Sequence, residues 1–555
     1  MSRHFVSSNA EAIELGLAGF CALNADLVRL HAEPRFVVRA ESASNKVALV
    51  SGGGSGHEPL HAGFVGEGML DAAVPGEVFA SPSAEQVRIA TMAADNGRGV
   101  LHVVKNYTGD VINFALAADQ CREAGVEVAT VLVDDDIPGA ERGSKPGRRG
   151  TVATVVVEKI CGAAAEAGLD LAQLKELGYR VVDNARSVGA AIVAGTHFGA
   201  DSEDFTLQAD QIEFGVGIHG ERGTDRIPDE GLSALIAKLV DTIASDTDSL
   251  AGPQLLIMNG LGSTTPLELH AAYALAAARL GERGAEIVRA VVDDLVTSLD
   301  MRGLSLTVVR LDDDLLRWWD APARTPAWRM PPSAPAIEPA VFVPAEGRVA
   351  AETSMIDAET AAVLNRWLAA FEETVDAQAK ALGDLDRRAG DGDFGENLLT
   401  ALGRFRNHDH DQQNPFLSLS AAFASVGGTS GPILALWLGT LGRHLAHGLS
   451  SATLAAGLAE AADRVQELGG AAPGDKTMVD AMVPAAAAAA DGSGEFAAAL
   501  DRAAHAAREA AEETIDLVAS RGRASYVGET SRGVGDPGAI AIALFLEAGS
   551  FSLGD

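Results

Sequence analysis

The chain has 555 residues, 47% of them apolar and 22% charged, a balance that supports several packed cores and excludes a mainly disordered protein. Its 77 acidic against 43 basic residues leave a formal charge of −34, which repels nucleic acids and anionic membranes, so neither is an expected partner. Cys21, Cys121 and Cys161 form no C-x-x-C pair, and there is neither a basic-then-apolar leader nor an apolar run of the roughly 18 residues a membrane span needs. The expected location is a reducing cytoplasm.

Short β-branched runs at 46–50, 100–107, 126–136, 253–260 and 304–311 alternate with helical stretches, which predicts α/β units with largely parallel sheet. This α/β domain covers 1–320, in two subdomains that part near 185–200. Seven of the 21 prolines fall between Pro322 and Pro344, which predicts a linker over 321–346. From there to the end, 347–555, Ala- and Leu-rich stretches without strand signals predict an all-helical domain. Leu398, Leu402 and Phe405 recur at i, i+4, i+7, as do Leu434, Leu438 and Leu441, so each trio lines one helix face. The alanine tract 485–490 reads as a helix end.

In the α/β domain, 46–60 reads as a strand entering a loop of Gly52, Gly53, Gly54 and Gly56, where a ligand can approach the backbone closely. Its spacing does not complete G-x-G-x-x-G, because Pro59 takes the last position, and no Gly-Lys-Ser/Thr occurs in the chain. His57-Glu58-Pro59-Leu60-His61 satisfies H-E-x-x-H, but the glycine loop and Pro59 oppose the continuous helix that a zinc protease needs, leaving that reading a remote alternative. Lys105 to Asp110 (KNYTGD) leaves a second strand, and His219 stands among the glycines of 215–223. Residues at the carboxyl ends of such strands converge on a ligand crevice. His57, His219, Lys105 and Asp110 could there bind a small polyol or carbonyl compound and move its protons.

In the helical domain, LDRRAGDGDFGEN (385–397) clusters Asp386, Asp391 and Asp393. Grouped carboxylates suit a hard cation such as Mg²⁺, which completes its shell with substrate phosphates and would reconcile an acidic chain with an acidic nucleotide. An EF-hand-like calcium loop is the competing reading, and its pattern is incomplete. Gly427-Gly428-Thr429-Ser430-Gly431-Pro432 precedes a predicted helix and could cradle a phosphate on its free N–H groups. Gly474 to Met478 and Asp536 to Gly538 are further loop candidates.

With SGGGSGHEP, KNYTGD and GIHGERG followed by LDRRAGDGD, GGTSG, GDKTM, GRASY and DPGA, the chain resembles the single-chain dihydroxyacetone kinases over essentially its whole length. The resemblance implies an α/β ketose-binding domain followed by a helical-barrel nucleotide domain, ATP-dependent phosphorylation of dihydroxyacetone, and a homodimer. Carried over by position, it implies that His219 holds the ketose as a covalent hemiaminal and that His57 and Asp110 move protons. Asp110 would accept the proton of the attacking hydroxyl, while Gly54, Ser55, Gly56 and Lys105 shape the ketose site. It further implies two Mg²⁺ ions on Asp386, Asp391 and Asp393. Phe394, Gly395, Glu396, Asn397, Thr429, Ser430, Gly474, Met478, Arg523, Asp536, Pro537 and Gly538 would surround ATP. One departure is plain: after Asp393 the fused enzymes usually read Cys-Gly-Thr-Thr, whereas this chain reads Phe394-Gly395-Glu396-Asn397. Asn397 is instead similar to the detached nucleotide-binding subunit of the phosphotransferase-linked kinases. Erythrulose or glyceraldehyde as substrate, a phosphocarrier as final donor, and a non-catalytic sugar-binding regulator stay open as alternatives. The regulator reading expects lost aspartates, and all three are present.

Overall fold

The computed structural model describes residues 4–41, 44–138, 147–198, 205–329, 355–389, 392–406, 414–491, 494–521, 525, 528–529 and 531–553. The chain divides into two compact units, Met1–Val341 and Phe342–Asp555.

The first unit carries two six-stranded sheets. One contains β1 (Val28–Ala32), β2 (Arg35–Arg39), β3 (Ala48–Ser55), β4 (Ala72–Val78), β5 (Val100–Lys105) and β6 (Val128–Val133), in the order β1-β2-β4-β3-β5-β6. Here β4, β3, β5 and β6 run parallel, and the β1-β2-β4 edge is antiparallel. Around it stand α1 (Asn9–Leu23), α2 (Ala84–Ala94), α3 (Thr108–Glu123), α4 (Ala153–Glu166) and α5 (Leu171–Asn184). Successive strand residues point to opposite faces, so Ala48 and Val50 pack with Val87 and Phe114 of α2 and α3, while Leu49 packs with Val155 and Leu174 of α4 and α5. Both faces are covered, which is why 46–50 reads as an unbroken apolar run.

The second sheet contains β7 (Ala185–Val193), β8 (Gln211–Phe214), β9 (Asp225–Pro228), β10 (Gly252–Gly260), β11 (Ala285–Asp293) and β12 (Arg302–Arg310), in the order β11-β10-β12-β7-β8-β9. It departs from the expected parallel sheet: only β10 and β11 are parallel. A parallel pair needs a long crossover, and α7 (Pro266–Gly281) supplies one between β10 and β11. From β11 the chain returns through a loop without a helix, and β12 therefore lies antiparallel to β10. Two more helices, α6 (Leu232–Ser245) and α8 (Asp313–Asp320), complete the unit.

Residues 321–329, expected as the start of a linker, are instead packed structure. The Arg324 N–H donates to the Glu67 carbonyl at 2.8 Å and the Ala327 N–H to the Gly63 carbonyl at 2.9 Å. Trp328 is buried edge-on to Trp319, with ring centroids 5.2 Å apart, and this apolar anchor outweighs the surrounding prolines. The rest of the expected linker lies outside the described residues.

The second unit has eight α-helices among its described residues: α9 (Ala358–Ala389), α10 (Phe394–Arg406), α11 (Pro415–Ala424), α12 (Ser430–Leu445), α13 (Ser451–Gly469), α14 (Val479–Ala490), α15 (Phe496–Glu513) and α16 (Pro537–Leu553). Each packs against its successor, and α16 packs back on α9, where the Trp367 indole N–H donates to the Phe545 carbonyl at 2.7 Å. Both leucine-rich trios are buried in the one core these helices share. Among the described residues no helix is long and apolar enough to cross a membrane.

Candidate active site

Gly52, Gly53 and Gly54, expected on a loop, instead form the carboxyl end of β3, where Gly52 and Gly53 pair with β4 and the turn begins only at Gly56. A Cβ on Gly54 would lie 2.7 Å from both the Phe79 Cα and the Ala80 N, so this position has room for glycine alone. The Ser55 hydroxyl is spent on the Gly76 carbonyl at 2.8 Å, and the Gly56 N–H donates to Glu58 at 2.9 Å. Next in the chain is His57, fully buried, whose ring stacks on Phe79 at 5.1 Å. Its Nδ1 is 2.8 Å from the Thr297 carbonyl, which can only accept, so Nδ1 carries the proton and Nε2 keeps its lone pair. The Thr297 loop is pinned by Asn259 of β10, which accepts the Leu295 and Val296 N–H groups and donates to the Val296 carbonyl. Sequence reading passed over Thr297 and Asn259, since neither belongs to a recognisable motif.

Lys105 ends β5, and Asp110 sits in the first turn of α3 with its carboxylate 4.0 Å from the ammonium. Burial raises the Asp110 pKa, while Lys105 and a hydrogen bond from Ser81 oppose the rise. His219 arrives from the other sheet, on the glycine-rich loop between β8 and β9. The Glu221 carboxylate accepts the His219 backbone N–H at 2.8 Å, and Arg149 holds Glu221 at 3.1 Å and the Gly215 carbonyl at 2.7 Å. A Cβ on Gly217 would run into Glu221, which explains one of the glycines there.

The His219 ring meets His57 edge-on at 4.7 Å and Tyr107 at 4.2 Å. Burial, with the positive charges of Lys105 and Arg149, lowers its pKa to about 3, so at neutral pH the ring is uncharged. Among the described residues nothing hydrogen-bonds its ring. His57 Nε2, the Tyr107 hydroxyl and Asp110 Oδ1 are likewise buried without a partner. Such atoms cost stability unless a ligand completes them. The structure thus brings His57, Lys105, Asp110 and His219 together and adds Tyr107 and Phe79, which the sequence did not single out.

The zinc reading fails here. Residues 56–61 turn instead of forming an α-helix, and both ring nitrogens of His61 are engaged, one by Lys105 and the other by Ser51 and Glu158. Among the described residues no group of three His, Cys, Asp or Glu is placed to hold a metal ion.

In the helical unit Asp386 lies in the last turn of α9, not on a loop, because the first helix breaker after it is Gly390. Its carboxylate accepts the N–H groups of Gly392 and Phe394 at 3.0 and 3.1 Å, and the Asp393 carbonyl accepts the Asn397 N–H at the start of α10. Asp391 and Arg523 lie outside the described residues. The Phe394 side chain belongs to the core, Gly395 presses on Ala379 of α9, Glu396 is exposed, and Asn397 lies beside Gly428. Thr429 caps α12 without a side-chain hydrogen bond, leaving backbone N–H groups there unclaimed by it. At the start of α14, Asp480 accepts the N–H groups of Gly474 and Thr477, and Met478 packs on Gly538. Asp536 caps α16 by accepting the Ala539 N–H at 2.7 Å. Its carboxyl is pushed up to about 7 by burial, with Asp480 and Asp386 adding to the rise and Lys476 opposing it.

Asp480 and Asp386 therefore lie close enough to Asp536 for their charges to act on it. Asp480 was missed in sequence because a lone aspartate inside a helix carries no signal. Lys476, inside a motif but passed over, donates to the carbonyls of Thr514, Leu517, Ser531 and Val534 at 2.9, 3.1, 2.8 and 2.7 Å.

Residues 18–327 match the Dak1 domain and residues 388–550 the DAK2 domain. The chain is 39% identical to the D-erythrulose kinase of Mycolicibacterium smegmatis, covering 92% of each chain. It is 37% identical to the L-erythrulose 1-kinase of the same organism, covering 98% of each. Among solved structures, the dihydroxyacetone kinase from C. freundii in complex with AMP-PNP and Mg²⁺ aligns with a TM-score of 0.62 at 31% identity, over 100% of both chains.

Proposed function

Because the chain belongs to the single-chain dihydroxyacetone kinase family, a Dak1 and a DAK2 domain in one polypeptide, we propose that it transfers the terminal phosphoryl group of ATP to dihydroxyacetone. The observation that carries this reading is the uncharged His219 ring packed on His57 and Tyr107, with His57 Nε2, the Tyr107 hydroxyl and Asp110 Oδ1 buried without a partner. One imidazole nitrogen attacks the ketone carbon, the C=O π pair moves to oxygen and is protonated, and the other ring nitrogen gives up its proton, leaving a neutral hemiaminal. A carbonyl is required, so glycerol is rejected. His57 Nε2 accepts a hydrogen bond from the held ketose, and Asp110 takes the proton of the hydroxyl that attacks phosphorus. The two erythrulose kinases support a four-carbon ketose as the second reading, since one extra hydroxymethyl group is discriminated weakly by a pocket.

ATP and Mg²⁺ are assigned to the helical unit, in keeping with the ligands of the C. freundii relative. Carboxylate oxygens suit Mg²⁺, and a cation would relieve the like-charge repulsion that Asp480 and Asp386 exert on the half-buried Asp536. Asp386, Asp391 and Asp393 would hold two ions, which neutralise phosphate oxygens when bound. Asn397, Thr429, Ser430, Gly474 and Met478, with Asp536, Pro537, Gly538 and Arg523, would surround the nucleotide, backbone N–H groups at helix starts contacting phosphates. The ring from α9 to α16 is read as a helical barrel, the enzyme as a cytoplasmic homodimer whose mass in solution should be twice that of the chain.

ADP release from Mg-ATP tests the reading, with dihydroxyacetone, both erythrulose enantiomers, glyceraldehyde and glycerol compared at equal low concentrations. Preference for dihydroxyacetone is expected, preference for a tetrulose keeps the mechanism and changes the substrate, and no turnover with any of them overturns the proposal.

A further inference from the structure

Behind the ketose site a buried chain of polar groups runs from Asp110 back to α4. Lys105 Nζ lies 4.0 Å from Asp110 Oδ2, 3.2 Å from the Gly52 carbonyl and 2.7 Å from His61 Nε2. On the far side of that ring, His61 Nδ1 lies 2.6 Å from Glu158 Oε1 and 3.0 Å from Ser51 Oγ. The Ser51 hydroxyl donates to the Val103 carbonyl at 2.7 Å and has no second proton to offer. The Lys105 ammonium can only donate, so Nε2 accepts, Nδ1 carries the proton, and a Glu158 oxygen accepts it. Lys105 and Glu158 have no exposed surface and His61 is 6% exposed. Glycine at 53 is part of the design, because a Cβ there would collide with the Lys105 ammonium. An apolar filling of this space would avoid several kcal/mol of desolvation per ion, so packing alone does not account for the charges.

Two of the three ammonium N–H groups are thus committed to Gly52 and His61, which leaves the third for Asp110. We propose that His61 and Glu158 are positioning residues for the phosphoryl acceptor: Glu158, acting through His61, shares the Lys105 charge with Asp110 and so sets both the direction of the ammonium and the basicity of Asp110. The inference rests on the kinase reading above. Burial raises the Asp110 carboxyl and pushes the Glu158 carboxyl up to about 8, and the Lys105 charge between them opposes the rise in both. The other groups facing this chain are Ser81 on Asp110, and His57 and His219, held neutral by burial, toward Lys105.

Glu158→Gln keeps the shape and the acceptor for Nδ1–H but removes the charge. Asp110 then has Lys105 to itself and becomes a weaker base. The acid limb of the kcat–pH profile should move down by about one pH unit, with kcat about tenfold lower and the ketose and ATP KM values within about twofold of wild type. Glu158→Asp, which retains the charge, should keep the wild-type acid limb. His61→Gln, which cuts the link, should shift the limb as Glu158→Gln does, and it carries the test if Glu158→Gln does not fold. A Glu158→Gln profile that superimposes on wild type, or a Glu158→Asp profile shifted equally, overturns the inference while leaving the kinase reading intact. Wild-type protein that phosphorylates no ketose overturns both.

Discussion

Lys476→Met is the perturbation that most directly tests how the nucleotide region is built. Lys476 is 2% exposed, and its ammonium meets four backbone carbonyls, of Thr514, Leu517, Ser531 and Val534, with three protons to share among them. Those carbonyls span the segment that delivers Asp536 and the start of α16, and Thr514 also accepts the Asp536 N–H through its hydroxyl at 2.9 Å. Methionine keeps the length of the stem and removes every donor. A hydrogen bond to a charged group contributes about 1.5–3 kcal/mol, and an orphaned buried carbonyl costs about 1–3 kcal/mol. The four are not additive, the ammonium regains hydration in the unfolded wild type, and some carbonyls reach water as the segment opens. The net loss should be about 3 kcal/mol, concentrated in 514–536. If about half of that loss reaches the nucleotide as Asp536 shifts, affinity falls about tenfold. Amide hydrogen exchange across 514–536 and calorimetric titration with Mg-AMP-PNP read the two effects, with ketose binding as the unaffected control. Wild-type exchange rates and wild-type nucleotide affinity in the variant would refute the clamp.

His219→Ala should abolish ketose phosphorylation and the mass-spectrometric ketose adduct while sparing Mg-AMP-PNP binding, and Asp386→Ala should abolish Mg-AMP-PNP binding, and phosphorylation with it, while sparing the ketose adduct; equal loss of both ligands in both variants would contradict the division of labour. Gly54→Ala forces its Cβ against Phe79 and Ala80, so about 1–3 kcal/mol of stability and most of the ketose affinity should be lost, as thermal unfolding and substrate titration would reveal. Acid should weaken the first unit. His102 is fully buried and its pKa falls from 6.5 to about 3, chiefly through burial with Arg122 adding to it, and His219 also falls to about 3. The unfolded chain takes up these protons below about pH 6.5 and the folded one only near pH 3. Stability is therefore complete above 6.5 and declines toward 3 by up to about 1.4 kcal/mol per pH unit for each histidine, measurable by urea denaturation at stepped pH.

What could be read from the sequence was local. The five β-branched runs became β3, β5, β6, β10 and β12, since a strand buried on both faces needs an unbroken apolar stretch. The leucine trios became buried faces of α10 and α12, because helical spacing alone decides which residues share a face. Glycines at 54 and 217 were visible as a pattern, although the crowding that demands them was not. Tertiary structure decided everything that depends on residues distant in the chain. It ran the second sheet mostly antiparallel where no crossover helix intervenes, and it kept Trp328 in a core despite its prolines. It brought His219 from β8–β9 against His57, fixed the His57 tautomer with a carbonyl from the Thr297 loop, and placed Glu158 behind His61. A protonation state, a shared charge or a clamped loop is set by what lies within a few ångströms in space, and such neighbours leave no spacing rule in the chain.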